Sequence, residues 1–461
     1  MQILPPLWPF LILTFAIFFG SAPLAIAGDT DPKAPITILD SPELLELLEN
    51  LGKPLVKAAG LPGESVQFHV ILNSQVNAMA LPNGNLVFNS ALVERCESPE
   101  ELASVMAHEI AHLAAGHHMR LQNEMKAVSI ESLVATVAGL AAGIAANNSS
   151  ISQAAMIGSP AAAQSMMLDS MREKESQADQ LAIHYLAKSG FDPNSMVHFL
   201  KHLLAEQRNV SIPAPYLLTH PLSTERVIDA ERSASAVIPV KSAHPNTDPI
   251  ALERVQAIIL AATETDPRKA EQRFQTHLKG NPNDIPARYG LTLVLRYSGE
   301  TKKAHTLIDA LLTQQPHDPF FLREKGLILL DEGKPGEAEQ VFTQALAQRP
   351  NNADLHYRLA VSYTEGGKLE QAARILRKLT VEKPTQPLYQ YQLGVVEGQR
   401  QRLGHAHLAM ARYYALLMDE KMAVFHYDEA TNNFPQSERE HEIAQSELKR
   451  FKEEHRKSRL K

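Results

Sequence analysis

The sequence predicts an α+β domain followed by an all-α repeat array. Three observations point there: strand-like and helix-like stretches mixed through the first half, residue classes recurring every 34 positions in the second, and a Pro/Ser/Asn-rich segment between them. A chain of 461 residues is too long for one ordinary core. Its hydrophobic fraction of 44% and charged fraction of 21% are those of a soluble globular protein, and a net charge of −7 offers no electrostatic footprint for nucleic acid. The expected divisions are a signal peptide over 1–27, the α+β domain over 36–239, a linker over 240–250, the repeat domain over 251–450 and a basic tail over 451–461.

The first element is an apolar run, "LWPFLILTFAIFFG", followed by "SAPLAIAG", in which Ala25 and Ala27 form an A-x-A cleavage site before Gly28. No Lys or Arg precedes the run, so a retained anchor is the alternative to cleavage and export. The only tryptophan, Trp8, lies inside this segment, so a processed protein is expected to lack tryptophan fluorescence. The single cysteine, Cys96, rules out an internal disulfide and reads as a small buried hydrophobe.

Next, "SVQFHVIL" alternates Val66, Phe68, Val70 and Leu72, a period-two strand. "NAMALPNGNLVFN" reads as two short strands around the turn Pro82-Asn83-Gly84. A helix then starts at Ser98-Pro99-Glu100-Glu101, with Ser98 as N-cap, Pro99 in the first turn and Glu101 closing a capping box. Leu102, Val105, Met106, Ile110 and Leu113 follow at helical spacing and predict one buried face. The apolar stretch "SLVATVAGLAAGIAA" falls short of the ~20 residues a membrane span requires, so a packed helix or a flap is expected there.

The second half repeats. Pro282, Pro316, Pro350 and Pro384 are 34 residues apart, as are Ala270, Ala304, Ala338 and Ala372, and Gly299, Gly333 and Gly367 keep the same step. A small residue where two helices cross and a proline ending the second, at that period, is the tetratricopeptide-repeat pattern. The pattern slips after Leu393-Gly394: the next matching set, Tyr414, Ala423, Tyr427, Ala430 and Pro435, arrives with 17 extra residues, which predicts one additional helix in the capping part.

The chemistry sits on the helix that Ser98 starts. In "HEIAH", His108 and His112 stack one turn apart, since four residues at ~100° each return to within about 40°. Two imidazoles so placed can hold a zinc ion from one side, and Glu109 beside them can take a proton from a water the metal acidifies. This H-E-x-x-H pattern is the zincin motif, so the first domain is expected to be a zincin-type metalloprotease domain with one zinc per subunit. A third ligand is needed, and no further His follows at the short metzincin spacing. "EKESQADQLA" offers Glu173 and Glu175. Glu175 is favoured because Ala178 then packs close to the first helix while Asp179 points at the site and orients a His ligand or shuttles a proton. Gly116 suggests that the first helix ends there. His117, about 180° around from His108 on a continued helix, and His118 read as cationic or hydrogen-bonding residues near a helix C-terminus.

Taken in order, "NAMALPNG", "HEIAH", "ESQAD" and "THPLSTERV", followed by tetratricopeptide repeats, resemble the exported zinc metalloproteases of the CAAX-endopeptidase-like family over nearly the whole mature chain. The resemblance implies that His108, His112 and Glu175 bind zinc, that Glu109 is the catalytic base and that Asp179 is a proton donor or ligand-orienting residue. It further implies a periplasmic endopeptidase, soluble or peripheral at the outer membrane. Its partners would be misassembled outer-membrane β-barrel precursors and their assembly machinery, engaged through the repeats. Two roles are open for His220: a fourth zinc ligand that plugs the resting enzyme, or a donor to the tetrahedral intermediate. Two are also open for Arg226: oxyanion stabiliser, or ion-pair partner of an acid such as Glu225 or Asp229. Substrate is expected as an extended strand beside "NAMAL". The alternative reading, from a different class, is a repeat-based chaperone or adaptor with a largely latent metal site.

Overall fold

A computed structural model describes residues 37–39, 41–81, 83–117, 160–207, 216, 220–238, 240 and 248–458. The signal segment, the 132–146 stretch, Pro82, His118 and most of the 240–250 segment lie outside the described residues, as do the last three residues of the tail. The chain forms two compact units that divide at Asp266 and Pro267.

In the first unit, Ser41 caps α1 (Pro42–Ala58), whose Leu44, Leu47, Leu48, Leu51 and Leu55 make a buried stripe. At Gly52 the helix runs so close to the sheet that a Cβ would lie 2.2 Å from the Phe68 ring. The sheet has three strands, β1 (Gln67–Ile71), β2 (Ala78–Ala80) and β3 (Asn85–Asn89), in the order β1-β3-β2. β1 runs parallel to β3, pairing Phe68 with Leu86 and Val70 with Phe88; β2 returns antiparallel, pairing Met79 with Val87. Alternation in β1 buries Phe68 and Val70, as expected. Gly84 closes the β2–β3 turn at φ +84°, and a Cβ there would meet the Ser65 carbonyl oxygen at 1.9 Å, so only glycine fits.

The two sheet edges differ. The outer side of β1 is covered by residues 37–39 through Leu39 N–H to Val70 O and Leu72 N–H to Thr37 O. On β2, Asn77 and Leu81 bond toward β3; on its other side the Val76 carbonyl accepts the Tyr216 N–H, the Ala78 N–H goes to Asn77 Oδ1, and Ala78 and Ala80 are buried.

A short helix α2 (Ser90–Arg95) leads into α3 (Pro99–Ala114), the metal-motif helix. Ser98 Oγ accepts the Glu101 N–H at 3.1 Å, while the Glu101 carboxylate accepts from the Glu97 N–H rather than from that of Ser98, one residue further back than the capping box predicts. Sequence periodicity predicts one buried face for α3, yet every residue from Glu101 to His112 is buried. The reason is its central position: α1, β2, α4 (Pro160–Ser189) and α5 (Asn194–Gln207) all pack on it. Ala178, fully buried in α4, permits the close approach expected of it. The unit is completed by α6 (Thr224–Ala236), capped by Ser223, and α7 (Pro249–Thr263). The sequence reading places α7 with the repeats. It packs instead on α1 and α2, and Gln256 reaches the carbonyls of Val93 and Cys96, so it belongs to the first unit.

In the second unit, helices alternate in antiparallel pairs: α8 (Pro267–Gly280), α9 (Ile285–Tyr297), α10 (Thr301–Gln314), α11 (Pro319–Asp331), α12 (Pro335–Gln348), α13 (Ala353–Glu365), α14 (Leu369–Glu382) and α15 (Pro387–Gln399). The recurring alanines 270, 304, 338 and 372 are buried at the helix crossings. Gly299, Gly333 and Gly367 all sit at φ between +73° and +77°, where a helix must stop and reverse. Three helices rather than two then separate Pro384 from Pro435: α15, α16 (Leu403–Leu416) and α17 (Glu420–Asn433), before α18 (Arg439–Ser458) closes the array. This is the additional helix that the 17-residue slip predicts. The slip also loses its glycine: Gln401, the next position in the 34-residue series, holds φ +60° with a side chain.

Candidate metal centre

Four side chains from three places in the chain converge inside the first unit: His108 and His112 from α3, Glu175 from α4, and His220 from the segment before α6. All four are buried. His108 Nε2 lies 3.0 Å from His112 Nε2, 3.3 Å from Glu175 Oε2 and 3.3 Å from His220 Nδ1. His112 Nε2 lies 3.2 Å from Glu175 Oε1, and His220 Nδ1 3.1 Å from Glu175 Oε2. Ligand atoms held about 2.0–2.1 Å from a tetrahedral zinc ion stand roughly 3.3 Å apart. The side chains therefore form a cage of that size, with His220 at its fourth vertex.

Charge supports the same fit. Glu109, Glu175 and Asp179 bring three carboxylates into the buried site, and Arg226 brings one permanent cation. With the imidazoles neutral, as zinc ligands must be, the deficit is two positive charges, the charge of a zinc ion. Burial alone would disfavour the charged form of His108, but the carboxylates of Asp179 and Glu175 outweigh it and raise its pKa to about 10. Burial and then neighbouring His108 leave His112 low, at about 4, although Glu175 opposes them. Burial opposes ionisation of Glu175 too, yet His220, His108 and His112 hold its carboxyl well below the usual carboxylate range.

Glu109 follows His108 on α3 and is buried. Its Oε1 has no hydrogen-bond partner among the described residues, and His220 Nε2 stands 3.5 Å away. An unsatisfied buried carboxylate oxygen beside a metal cage is placed to receive a proton.

Asp179 lies one turn after Glu175, facing away from the cage centre. Its Oδ1 is 2.9 Å from His108 Nδ1, an ion-pair distance with the N–H poorly aligned, and both its oxygens receive Arg226, from Nε at 2.8 Å and Nη2 at 2.9 Å. Arg226 Nη1 donates to the Pro221 carbonyl and lies 3.1 Å from Glu175 Oε2. The acids named for Arg226 from sequence, Glu225 and Asp229, are therefore not its partners. Each guanidinium nitrogen contacts Asp179, Glu175 or Pro221. Asp179 is thus held between His108 and Arg226.

Two further residues belong to the site and carry no motif. Tyr216, buried, stacks on His220 at 4.6 Å with an interplanar angle of 29°, and its carbonyl accepts the His220 N–H at 2.7 Å. His117 does not lie on the far side of α3. Gly116, at φ +65°, ends the helix and turns the chain back, and His117 Nδ1 comes within 3.0 Å of His112 Nδ1. The only signals for either were an aromatic four residues before His220 and a glycine before a histidine. A second group, Glu97, Glu101 and His202, also gathers three donor atoms. Glu97 is exposed and Glu101 already accepts a backbone N–H at the start of α3, so this is a helix cap.

Residues 44–234 match the family model of peptidase family M48, and residues 289–347 and 329–393 match tetratricopeptide-repeat models. The chain is 31% identical over 299 residues to a β-barrel assembly-enhancing protease of Yersinia pestis, covering 63% of this chain and 59% of that one. It is 32% identical over 312 residues to a putative β-barrel assembly-enhancing protease of Vibrio cholerae serotype O1, covering 66% and 62%. It is 31% identical over 186 residues to the metalloprotease YcaL of Escherichia coli, covering 38% and 66%. The chain thus spans about three fifths of the length of the β-barrel assembly-enhancing proteases it matches.

Proposed function

Residues 44–234 form an M48 peptidase domain and tetratricopeptide repeats follow it; from that premise we propose that the chain is a zinc-dependent endopeptidase. It is exported to the periplasm and acts in quality control and assembly of outer-membrane β-barrel proteins, degrading misassembled precursors. The observation that carries the chemistry is the cage of donor atoms 3.0–3.3 Å apart beside the unpartnered Glu109 Oε1. The names of two relatives support the β-barrel role, and the 1–27 segment supports export. Among the described residues no helix is long and apolar enough to cross a membrane.

His108, His112 and Glu175 would hold a zinc ion, which would supply Lewis acidity to a water and to the scissile carbonyl. Glu109 accepts the water's proton at Oε1 and delivers it to the departing amine. Asp179, fixed by Arg226, keeps His108 in the tautomer whose Nε2 lone pair faces the cage. An extended peptide would pair with the outer side of β2 through backbone alone once Ala78 and Ala80, now buried, are uncovered, which suits clients of varied sequence. The repeats hold the client or the assembly machinery.

One observation favours a latent resting state: His220 occupies the fourth vertex, where water and substrate must enter. We assign it the role of plug. The test is a zinc assay with casein or unfolded barrel precursor as substrate, comparing wild type, Glu109→Gln and His220→Ala. Glu109→Gln should lose about 10²–10⁴-fold in kcat while keeping one zinc per chain, and His220→Ala should gain basal proteolysis. A Glu109→Gln protein that cleaves normally overturns the peptidase reading. If it cleaves nothing yet supports barrel assembly in cells as well as wild type does, the chain works as an adaptor instead.

A further inference from the structure

The two histidines of the cage are braced differently. His108 is braced by the charged pair Asp179–Arg226, whereas the Nδ1 of His112 meets a second histidine. His112 Nδ1 lies 3.0 Å from His117 Nδ1, and His117 Nε2 lies 3.0 Å from Gln177 Oε1. His117 is buried, and Gln177, two residues after Glu175 on α4, is at the surface.

We propose that His117 is a positioning residue that sets the tautomer of His112, and that Gln177 sets His117 in turn. The inference rests on the metal reading of the cage. Its logic is a one-way series of donors. With the Gln177 amide oxygen turned toward it, His117 carries its proton on Nε2 and offers a lone pair at Nδ1. His112 must then donate from Nδ1, which leaves the Nε2 lone pair facing His108 Nε2 and Glu175, where the ligand set requires it. Reversing the last member reverses the series: a donor at 177 turns His117 around, two N–H groups oppose each other at Nδ1, and His112 is driven to hold its proton on the nitrogen the metal needs. A surface side chain outside the cage thereby governs how well the cage binds. Gly116 is what makes the arrangement possible, since a continued helix would carry His117 away from His112.

The experiment measures zinc affinity of the full chain by chelator competition, alongside ¹⁵N spectra of the His112 ring in the zinc-loaded protein. In wild type the His112 proton is expected on Nδ1. Gln177→Glu, a pure acceptor, should bind zinc as tightly as wild type or tighter. Gln177→Lys, a pure donor, should weaken binding at least tenfold, and His117→Phe about 10–100-fold. Gln180→Lys, at an exposed position near by with the same added charge, controls for simple repulsion of the cation and should stay within about twofold. Because residue 177 is exposed, its variants test the idea even where His117→Phe fails to fold. Equal weakening by both lysines, or wild-type affinity in Gln177→Lys, overturns the positioning role. A wild-type chain that binds no zinc overturns the metal reading beneath it and this proposal too.

Discussion

In the first unit four buried side chains, Glu109, Glu175, Asp179 and Arg226, converge on one place and, with the imidazoles neutral, leave two negative charges unbalanced. In the second unit charge is paired in small groups spread along the array. Arg296 meets Glu324 at 2.5 Å, Arg323 and Arg358 share Asp354, and Arg377 and Arg400 share Glu397. These pairs link one repeat to the next: Arg296 sits on α9 and Glu324 on α11, Arg323 on α11 and Asp354 on α13. The contrast teaches how to read buried charge. Where it is paired from one repeat to the next it fixes how they dock, and where it is left in deficit at one point it is a binding site for the missing charge.

The comparison can be broken at three places. The largest effect is expected for Arg226→Met, which leaves Asp179 buried without its cation and deepens the deficit to three. Breaking a buried pair from one side costs about 3–5 kcal/mol; thermal unfolding should register it in chelated protein, and added zinc should recover part of it. Wild-type stability without zinc would sink the claim that the pair braces the site. Next is Asp354→Asn in the array. Burial would push the Asp354 carboxyl up, but Arg323 and Arg358 hold it at about 2 against an ordinary 3.8. A lowered folded-state pKa contributes stability that is complete above the unfolded value and fades as pH falls through the folded one. The variant should therefore lose about 2 kcal/mol at pH 7, and the gap to wild type should close between roughly pH 4 and 2. Urea titrations across that window would show it. The smallest is Gln401→Gly, which relieves a side chain at φ +60° and should stabilise the repeat unit by about 1 kcal/mol; a destabilised variant would mean that the side chain packs usefully there.

Much of this was legible before any coordinates. The period of 34 located the repeats because each repeats the same crossing, with alanine at the contact and glycine at the reversal. The zincin motif was readable because both histidines lie on one regular helix, where spacing alone fixes direction. What escaped depends on the chain leaving regular structure. His117 reads as a hydrogen-bonding residue past the helix end at Gly116, but its partners, His112 and Gln177, follow from where the chain turns once φ becomes positive, which spacing does not give. Arg226 was paired with sequence neighbours because nothing local points to Asp179, 47 residues away. The helix Pro249–Thr263 read as part of the array because its apolar residues say that it packs but not on what.

The placement of His220 has a consequence for inhibitors. A side chain tethered beside its target competes as if present at roughly millimolar concentration. A metal-seeking compound thus meets a resident rival, and weak fragments that bind open zinc peptidases well would fail in a screen of this one. Tight compounds would take hold only as fast as the Tyr216–His220 stack lets go, so onset would level off with dose. Potency measured after a short incubation would then report how often the site opens rather than how well the compound fits.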